Sequence, residues 1–357
     1  MRAVVLVGGE GTRLRPLTFT TPKQLLPVAE VTMIERVVSH LAAHGVDDVV
    51  LSMGYRPDAF LSMFPDNRCA GVALSYAVEP TPLDTAGAIR FAALDAGIES
   101  TFLVVNGDVL TGMDIGALID FHRSSGGEAT ISLVPVEDPS RFGVVPTDAD
   151  GRVIAFIEKP PAGEAPTNLV NAGTYVLEPR VLTRIAGDRR ASIERETFPA
   201  LVAERSLFAL ASPAYWIDAG TPSEYLRANL DLISGAQGKP APGARSAGGG
   251  AWHMGGPVVD AAATPGSLIG DAAFVGKKAE VHTSVIGAGS RVEDAAVTRS
   301  VLLPGAVVHR GARIEDSILG AGAVVGRGAT VTGLAVVGDG VRVQPGVQLD
   351  GVRTPAA

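Results

Sequence analysis

Over roughly the first 130 residues, short apolar runs alternate with stretches in which apolar positions recur every three or four residues. The runs "AVVLV" (3–7), "DVVLS" (48–52), "VALSY" (72–76) and "TFLVVN" (101–106) have the length and β-branched content of buried strands. Helices are predicted near 33–44 and 85–96, and such alternation predicts βαβ units around a mostly parallel sheet. From about 130 to 215 the pattern changes to strands and hairpins ("ATISLVPV", "FGVVPTDADGRVIAFIEKP", "NLVNAGTYVLEP"), expected as an antiparallel extension covering one side of a pocket. Helices near 192–205 and 223–234 should close this part. In the former, Ser192 is the expected N-cap, with Ile193, Phe198 and Leu201 buried.

Next, "SGAQGKPAPGARSAGGGAWHMGGP" (234–257) is mostly Gly, Ala and Pro and offers little to bury, so it reads as a linker. Beyond it the hydrophobic period changes again. Ile269, Val275 and Val281, then Ile286 and Val292, then Leu302, Val308 and Ile314, then Leu319, Val325 and Val331, then Val337 and Val343 recur about every six positions, with slips to five. That is the hexapeptide signature of a β-helix, each hexad forming one side of a triangular coil. The expected fold is therefore an α/β domain with a Rossmann-like mixed sheet (1–233), a linker (234–257) and a left-handed parallel β-helix (258–357). Coils of this kind expose flat faces that often pack on one another, so a homo-oligomer is expected.

Charge narrows the partners. With 38 acidic and 30 basic side chains the formal charge is -8, which argues against nucleic-acid binding but leaves room for a local cationic pocket. Cys69 is the single cysteine, so an intramolecular disulfide and a thiolate metal cluster are both excluded and a reducing compartment fits. The first apolar run is too short for a signal sequence and no stretch reaches membrane length; a cytoplasmic protein is expected.

The chemistry concentrates in "LVGGEGTRLRPLTFTTPKQLLP" (6–27), where a strand runs into three glycines and then Arg13, Arg15 and Lys23. Glycines after a strand let backbone N–H groups approach an anion, most often phosphate. A dinucleotide fingerprint would need a glycine where Leu14 stands, and the Gly-Lys-Ser/Thr ending of a Walker loop is missing. What remains is a glycine turn with several cations beside it, as triphosphate binding requires. On parallel sheets ligands bind beyond the carboxyl ends of the strands, so 8–15 and 106–108 should share one edge.

"GGEGTRLRPLT" followed by "PK", with "TAGAI" (85–89), "NGD" (106–108), "FGVV" (142–145), "IEKP" (157–160), "NAGTYV" (171–176) and "WIDAGTPSEYL" (216–226), resembles the sugar-1-phosphate nucleotidyltransferases over the whole first domain. The resemblance implies a GT-A-like catalytic domain that transfers a nucleotidyl group from an NTP to a sugar 1-phosphate with Mg²⁺, releasing pyrophosphate. It implies that Gly8, Gly9 and Gly11, with Thr12, meet the nucleotide, that Arg13 grips the β- and γ-phosphates, and that Lys23 lies near the α-phosphate. It further implies that Asp108 and Asp218 hold Mg²⁺, that Glu158 and Asn171 bind the sugar, and that Lys159 binds its phosphate. The attacking phosphate has a second pKa of about 6, so neither a side-chain nucleophile nor a general base is needed.

For base choice, the relevant stretch is Asp84, Thr85 and Gly87. Asp84 stands where members of the family commonly carry glycine; its carboxylate would accept from guanine N1–H and amine, while a turn residue facing water is the competing reading. "ASIERETFPAL" (191–201) is similar to mannose-1-phosphate guanylyltransferases, which implies GTP and mannose 1-phosphate as substrates. Gln24 is similar instead to thymidylyltransferases acting on glucose 1-phosphate. A thymidylyl- or uridylyltransferase and a catalytically silent regulatory homologue therefore stay open.

Overall fold

In the computed structural model, which describes residues 1–54, 57–187 and 189–356, the chain forms two compact units. One comprises Met1–Gly9 and Ile34–Ile217, the other Glu10–Met33 and Asp218–Ala357.

Among the described residues the first unit is built on a ten-stranded mixed sheet. Four strands run parallel in the order Phe102–Asn106, Arg2–Leu6, Asp48–Met53, Val72–Val78. They are the four apolar runs of the sequence, and Val4, Val50 and Val104 are sealed among them because helices cover such sheets. The expected helices form at Met33–Ala43 and Asp84–Asp95. Leu169–Leu177 adds antiparallel to Phe102–Asn106, and Ala129–Pro135 and Gly143–Val144 both pair with it, forming the expected extension. The expected 192–205 helix is split. Ser192 accepts from Arg195 N as predicted and Ile193, Phe198 and Leu201 are fully buried, but the first turn, Ile193–Thr197, is a π-turn and only Phe198–Ala203 is α-helical. Pro199 explains the break, since it has no N–H to continue the ladder.

The second unit holds the β-helix. Three ladders of short parallel strands run along it, and every aliphatic residue of the hexad list is in its core, as in the expected left-handed form. Val297, five residues from both Val292 and Leu302, fills the gap that list leaves between them. At one corner, buried serines bridge successive coils: Ser284 N donates to Ser267 Oγ, Ser300 N to Ser284 Oγ and Ser317 N to Ser300 Oγ, each at 3.1 Å. Within 234–257 the chain forms strands Arg245–Gly248 and Ala251–His253, the latter parallel to Leu268–Ile269. Trp252 gives this stretch an anchor, its Nε1 donating to Ile233 O at 3.1 Å. The helix Pro222–Ile233 is capped by Thr221, whose hydroxyl accepts from Glu224 N.

Candidate active site

In the first unit, Leu6 and Asn106 are register partners on adjacent parallel strands, so Gly8 and Gly9 leave the sheet at the same edge as Asp108. Both turns are tight. A Cβ at Gly8 would stand 3.0 Å from Gly54 N, and one at Gly107 would stand 2.8 Å from Val7 Cγ1 and 2.9 Å from Leu6 O. Only glycine lets the "NGD" turn tuck under the first strand, and this turn carries the half-buried Asp108 out at the sheet edge. Gly173, at φ 75°, lies where a side chain would collide with Asn106 Nδ2 at 2.6 Å. It belongs to a bulge between Asn171 and Tyr175. Asn171 shapes that bulge, its Oδ1 accepting from Gly173 N and its Nδ2 donating to Tyr175 Oη, both at 2.9 Å. One amide hydrogen and one lone pair of Asn171 remain for a ligand.

Glu158 and Lys159 follow on the extension. Gly143 is the register partner of Glu158, and the two side chains pair at 2.8 Å between Lys159 Nζ and Glu158 Oε1. Lys159 has φ 50°, a left-handed conformation costing an L residue about 1–2 kcal/mol. Trp216 closes this side, donating from Nε1 to Ala172 O at 2.9 Å and meeting Phe142 edge-on.

Two motifs far apart in sequence meet at the start of helix Asp84–Asp95. Thr85 Oγ1 donates to Glu194 Oε2 at 2.7 Å and accepts from Ile193 N at 2.9 Å, Ser192 Oγ reaches the same Glu194 oxygen at 2.8 Å, and Ala86 N donates to Ala191 O at 2.9 Å. The "TAGAI" and "ASIERE" stretches are thus one structural joint. Gly87 lies close under it, where a Cβ would stand 2.7 Å from Leu83 Cβ. Asp84 is exposed at φ 64°, its Oδ1 accepting from Thr85 N at 2.8 Å.

Glu79 is a residue that the sequence reading missed. Its Oε2 accepts from Leu83 N at 2.8 Å, its Oε1 lies 3.6 Å from where a Gly8 Cβ would stand, and burial raises its pKa above the ordinary carboxylate value. Its only signal in sequence is an acidic residue directly after a strand, just ahead of "PTPLDTAGA".

In the second unit, Gly11 at φ 64° opens a 3₁₀ turn, Thr12–Leu14, whose Thr12 and Arg13 are exposed and whose Leu14 is fully buried. Thr18 Oγ1 donates to Gly11 O at 2.8 Å, and a Cβ at Gly11 would stand 3.2 Å from Lys23 Cβ. The chain therefore folds back so that Gly11 and Lys23 are neighbours. Arg13 lies 3.9 Å from Asp218, whose Oδ1 accepts from Gly220 N at 2.9 Å. A Cβ at Gly220 would intrude between them, 2.7 Å from each side chain. Arg13 thus faces Asp218, and Lys23 starts beside Gly11 on the same turn.

Glycine turns and an aspartate at the carboxyl edge of a parallel sheet are features of proteins that bind nucleotide phosphates. The chain belongs to the nucleotidyl transferase family, whose model matches residues 2–235, and its sugar-1-phosphate branch; the GMPPB C-terminal domain model matches residues 260–354. Among relatives, mannose-1-phosphate guanylyltransferase of Mycobacterium tuberculosis is 41% identical, covering 86% of this chain and 83% of that protein. Mannose-1-phosphate guanylyltransferase 1 of Arabidopsis thaliana is 35% identical, covering 98% and 94% respectively. Among solved structures, HddC from Yersinia pseudotuberculosis superposes with a TM-score of 0.57 at 29% identity, covering 65% of this chain and 99% of its own; HddC has also been solved with GMP-PN. Enzymes of this family bind an NTP and a sugar phosphate and work with a divalent metal ion. Among the described residues no group of three or more His, Cys, Asp and Glu side chains gathers to hold a metal, and no helix is long and apolar enough to cross a membrane.

Proposed function

We propose that the chain transfers GMP from GTP to mannose 1-phosphate, giving GDP-mannose and pyrophosphate. The observation that carries this reading is the joint of Thr85 with Glu194 and Ile193, which ties the guanylyltransferase-like segment 191–201 to the helix start beside Asp84. The names of the relatives, matched over most of their length, support the same substrates.

An oxygen of the sugar phosphate forms a bond to the α-phosphorus of GTP, the bond from that phosphorus to the bridging oxygen breaks, and pyrophosphate leaves with that oxygen. Backbone N–H groups at Gly8, Gly9 and Gly11, with Thr12, receive the triphosphate; Arg13 holds its β- and γ-phosphates and Lys23 the α-phosphate, where charge builds up. Asp84, Thr85 and Gly87 shape the base side. Glu158 and Asn171 orient the sugar and Lys159 its phosphate, which is largely ionised at neutral pH.

Asp108 and Asp218 are hard oxygen donors, each half-buried, and would suit Mg²⁺, which keeps several waters and takes one or two carboxylates. When bound, the ion supplies charge neutralisation for the phosphates. The catalytic domain is assigned to 1–233, the linker to 234–257 and the β-helix to 258–357, in a cytoplasmic homo-oligomer.

The test is pyrophosphate release with Mg²⁺ across GTP, dTTP, UTP, ATP and CTP against mannose 1-phosphate and glucose 1-phosphate. Release confined to GTP with mannose 1-phosphate is expected. A preference for dTTP or UTP with glucose 1-phosphate would keep the reaction class and overturn the named product.

A further inference from the structure

Along one corner of the β-helix each coil turns directly after an inward-facing aliphatic residue: Gly270, Gly287, Leu303, Gly320 and Gly338 follow Ile269, Ile286, Leu302, Leu319 and Val337. The segment Glu10–Met33, which belongs to the same unit, is fastened to this corner at two distant coils. At the early coils, Glu30 Oε2 accepts from Ala288 N at 3.1 Å, and a Cβ at Gly270 would stand 2.7 Å from that same oxygen, so the corner admits the carboxylate only because Gly270 has no side chain. At the late coil, Thr20 Oγ1 donates to Asp339 Oδ2, while Asp339 Oδ1 is fixed by Ala321 N at 2.8 Å. Next to it, a Cβ at Gly338 would stand 3.2 Å from Pro16 Cβ. Helix Pro222–Ile233 adds two further ties: the Tyr225 hydroxyl donates to Pro27 O, and Asn229 Oδ1 accepts from Ala29 N at 2.8 Å.

Arg13 stands just before the Pro16 contact, and Lys23 lies between Thr20 and Glu30. Both cations are carried by a segment of short 3₁₀ turns and a hairpin of two-residue strands, anchored by buried Leu14, Leu17, Leu26 and Val28 rather than by a long helix or strand of its own. We infer that this corner of the β-helix is a positioning surface for the phosphate-binding segment, and that Thr20 with Asp339, and Glu30 with the Ala288 amide, are positioning contacts that set Arg13 and Lys23 for the nucleotide. The inference rests on the phosphate roles proposed above for those two cations. It gives the β-helix a part in the reaction itself, since a cation held in place before the nucleotide arrives loses less freedom on binding.

The experiment uses the full chain. Thr20→Val removes the hydroxyl, with its minor bond to Leu17 O at 3.3 Å, and leaves the Asp339 to Ala321 bond of the coil intact; Thr20→Ser keeps the hydroxyl. Two readouts are taken: hydrogen exchange of the backbone amides of 12–26, which needs no nucleotide, and KM for GTP and for mannose 1-phosphate separately. The expected result for Thr20→Val is exchange on the order of tenfold faster over 12–26, with the β-helix amides unchanged. The GTP KM should rise by a similar factor, the mannose 1-phosphate KM should stay within about twofold, and Thr20→Ser should behave as wild type. Unchanged exchange, faster exchange with an unchanged GTP KM, or an equal rise in both KM values would each overturn the inference. An Arg13→Ala variant with a wild-type GTP KM would overturn the phosphate role of Arg13. The exchange readout on Thr20→Val keeps that failure distinct from failure of the β-helix contact.

Discussion

Glu30 offers a perturbation whose size follows from its surroundings. Its carboxyl is pushed up from 4.5 to about 7, chiefly by burial against the β-helix; the Ala288 N–H opposes the rise, and the nearby Asp271 carboxylate adds to it. Because the folded protein holds this proton more tightly than the unfolded chain, the stability it contributes is complete below about pH 4.5 and is lost as pH rises through about 7. At ~1.4 kcal/mol per tenfold change in proton affinity, the full loss is about 3 kcal/mol. Glu30→Gln keeps an oxygen for the Ala288 amide and cannot ionise. The preference of the Ala288 N–H for the charged carboxylate is already part of that net shift, and at low pH the glutamine amide simply replaces a neutral carboxylic acid. The variant should therefore lie within about 1 kcal/mol of wild type at pH 5 and exceed it by about 3 kcal/mol at pH 8. Urea unfolding of both proteins in half-unit steps from pH 5 to 8 reads the difference directly, since other titrating groups cancel between them. Two parallel stability curves would show that the Glu30 carboxyl is not buried in the way the hairpin geometry requires.

The remaining predictions concern the candidate site. Asp108→Asn should abolish Mg²⁺-dependent pyrophosphate release with the melting temperature within a few degrees of wild type; retained turnover would remove this residue from the metal assignment. Gly220→Ala should displace the Arg13 guanidinium from Asp218, so kcat/KM is expected to fall ~10–100-fold with less than about 1 kcal/mol of lost stability, checked by steady-state kinetics beside urea unfolding. Asp84→Gly should relieve the φ of 64° and stabilise by about 1 kcal/mol; if the preference for GTP over dTTP survives unchanged, Asp84 is a turn residue only. Thr85→Val leaves Ile193 N and Glu194 without their shared hydroxyl and should cost about 2–3 kcal/mol in urea unfolding, with a rise in the GTP KM.

Much of this architecture is written in periodicities. Each inward position of the β-helix is a single aliphatic residue at hexad spacing, so the coil can be read one residue at a time, and even the slip at Val297 shows only as a missing beat. The sheet edge was equally legible, because glycine turns after apolar runs have few other physical reasons to exist. Sequence could not show the joint between Thr85 and Glu194, whose partners are separated by more than a hundred residues and look locally like an ordinary helix start and an ordinary capped turn. Nor could it show Glu30. In sequence it is a polar residue in a hairpin, and only the absence of a side chain at Gly270, far along the chain, makes room to bury it. The π-turn at Ile193–Thr197 was hidden for a similar reason, since Pro199 is compatible with a helix start as well as with a break.

The β-helix also works as a ruler. The Glu30–Ala288 and Thr20–Asp339 anchors sit three coil-to-coil steps apart. At ~4.8 Å per step that is about 14 Å, within the reach of the nine residues between Thr20 and Glu30. Length is therefore quantised here. Adding or removing one whole coil between the anchors would preserve every ladder and the repeating serine contacts, yet would move one anchor by about 5 Å relative to the other. A whole-coil change between Ala288 and Asp339 would therefore have to be absorbed by the segment laid along it, whereas coils beyond Gly338 make no such demand.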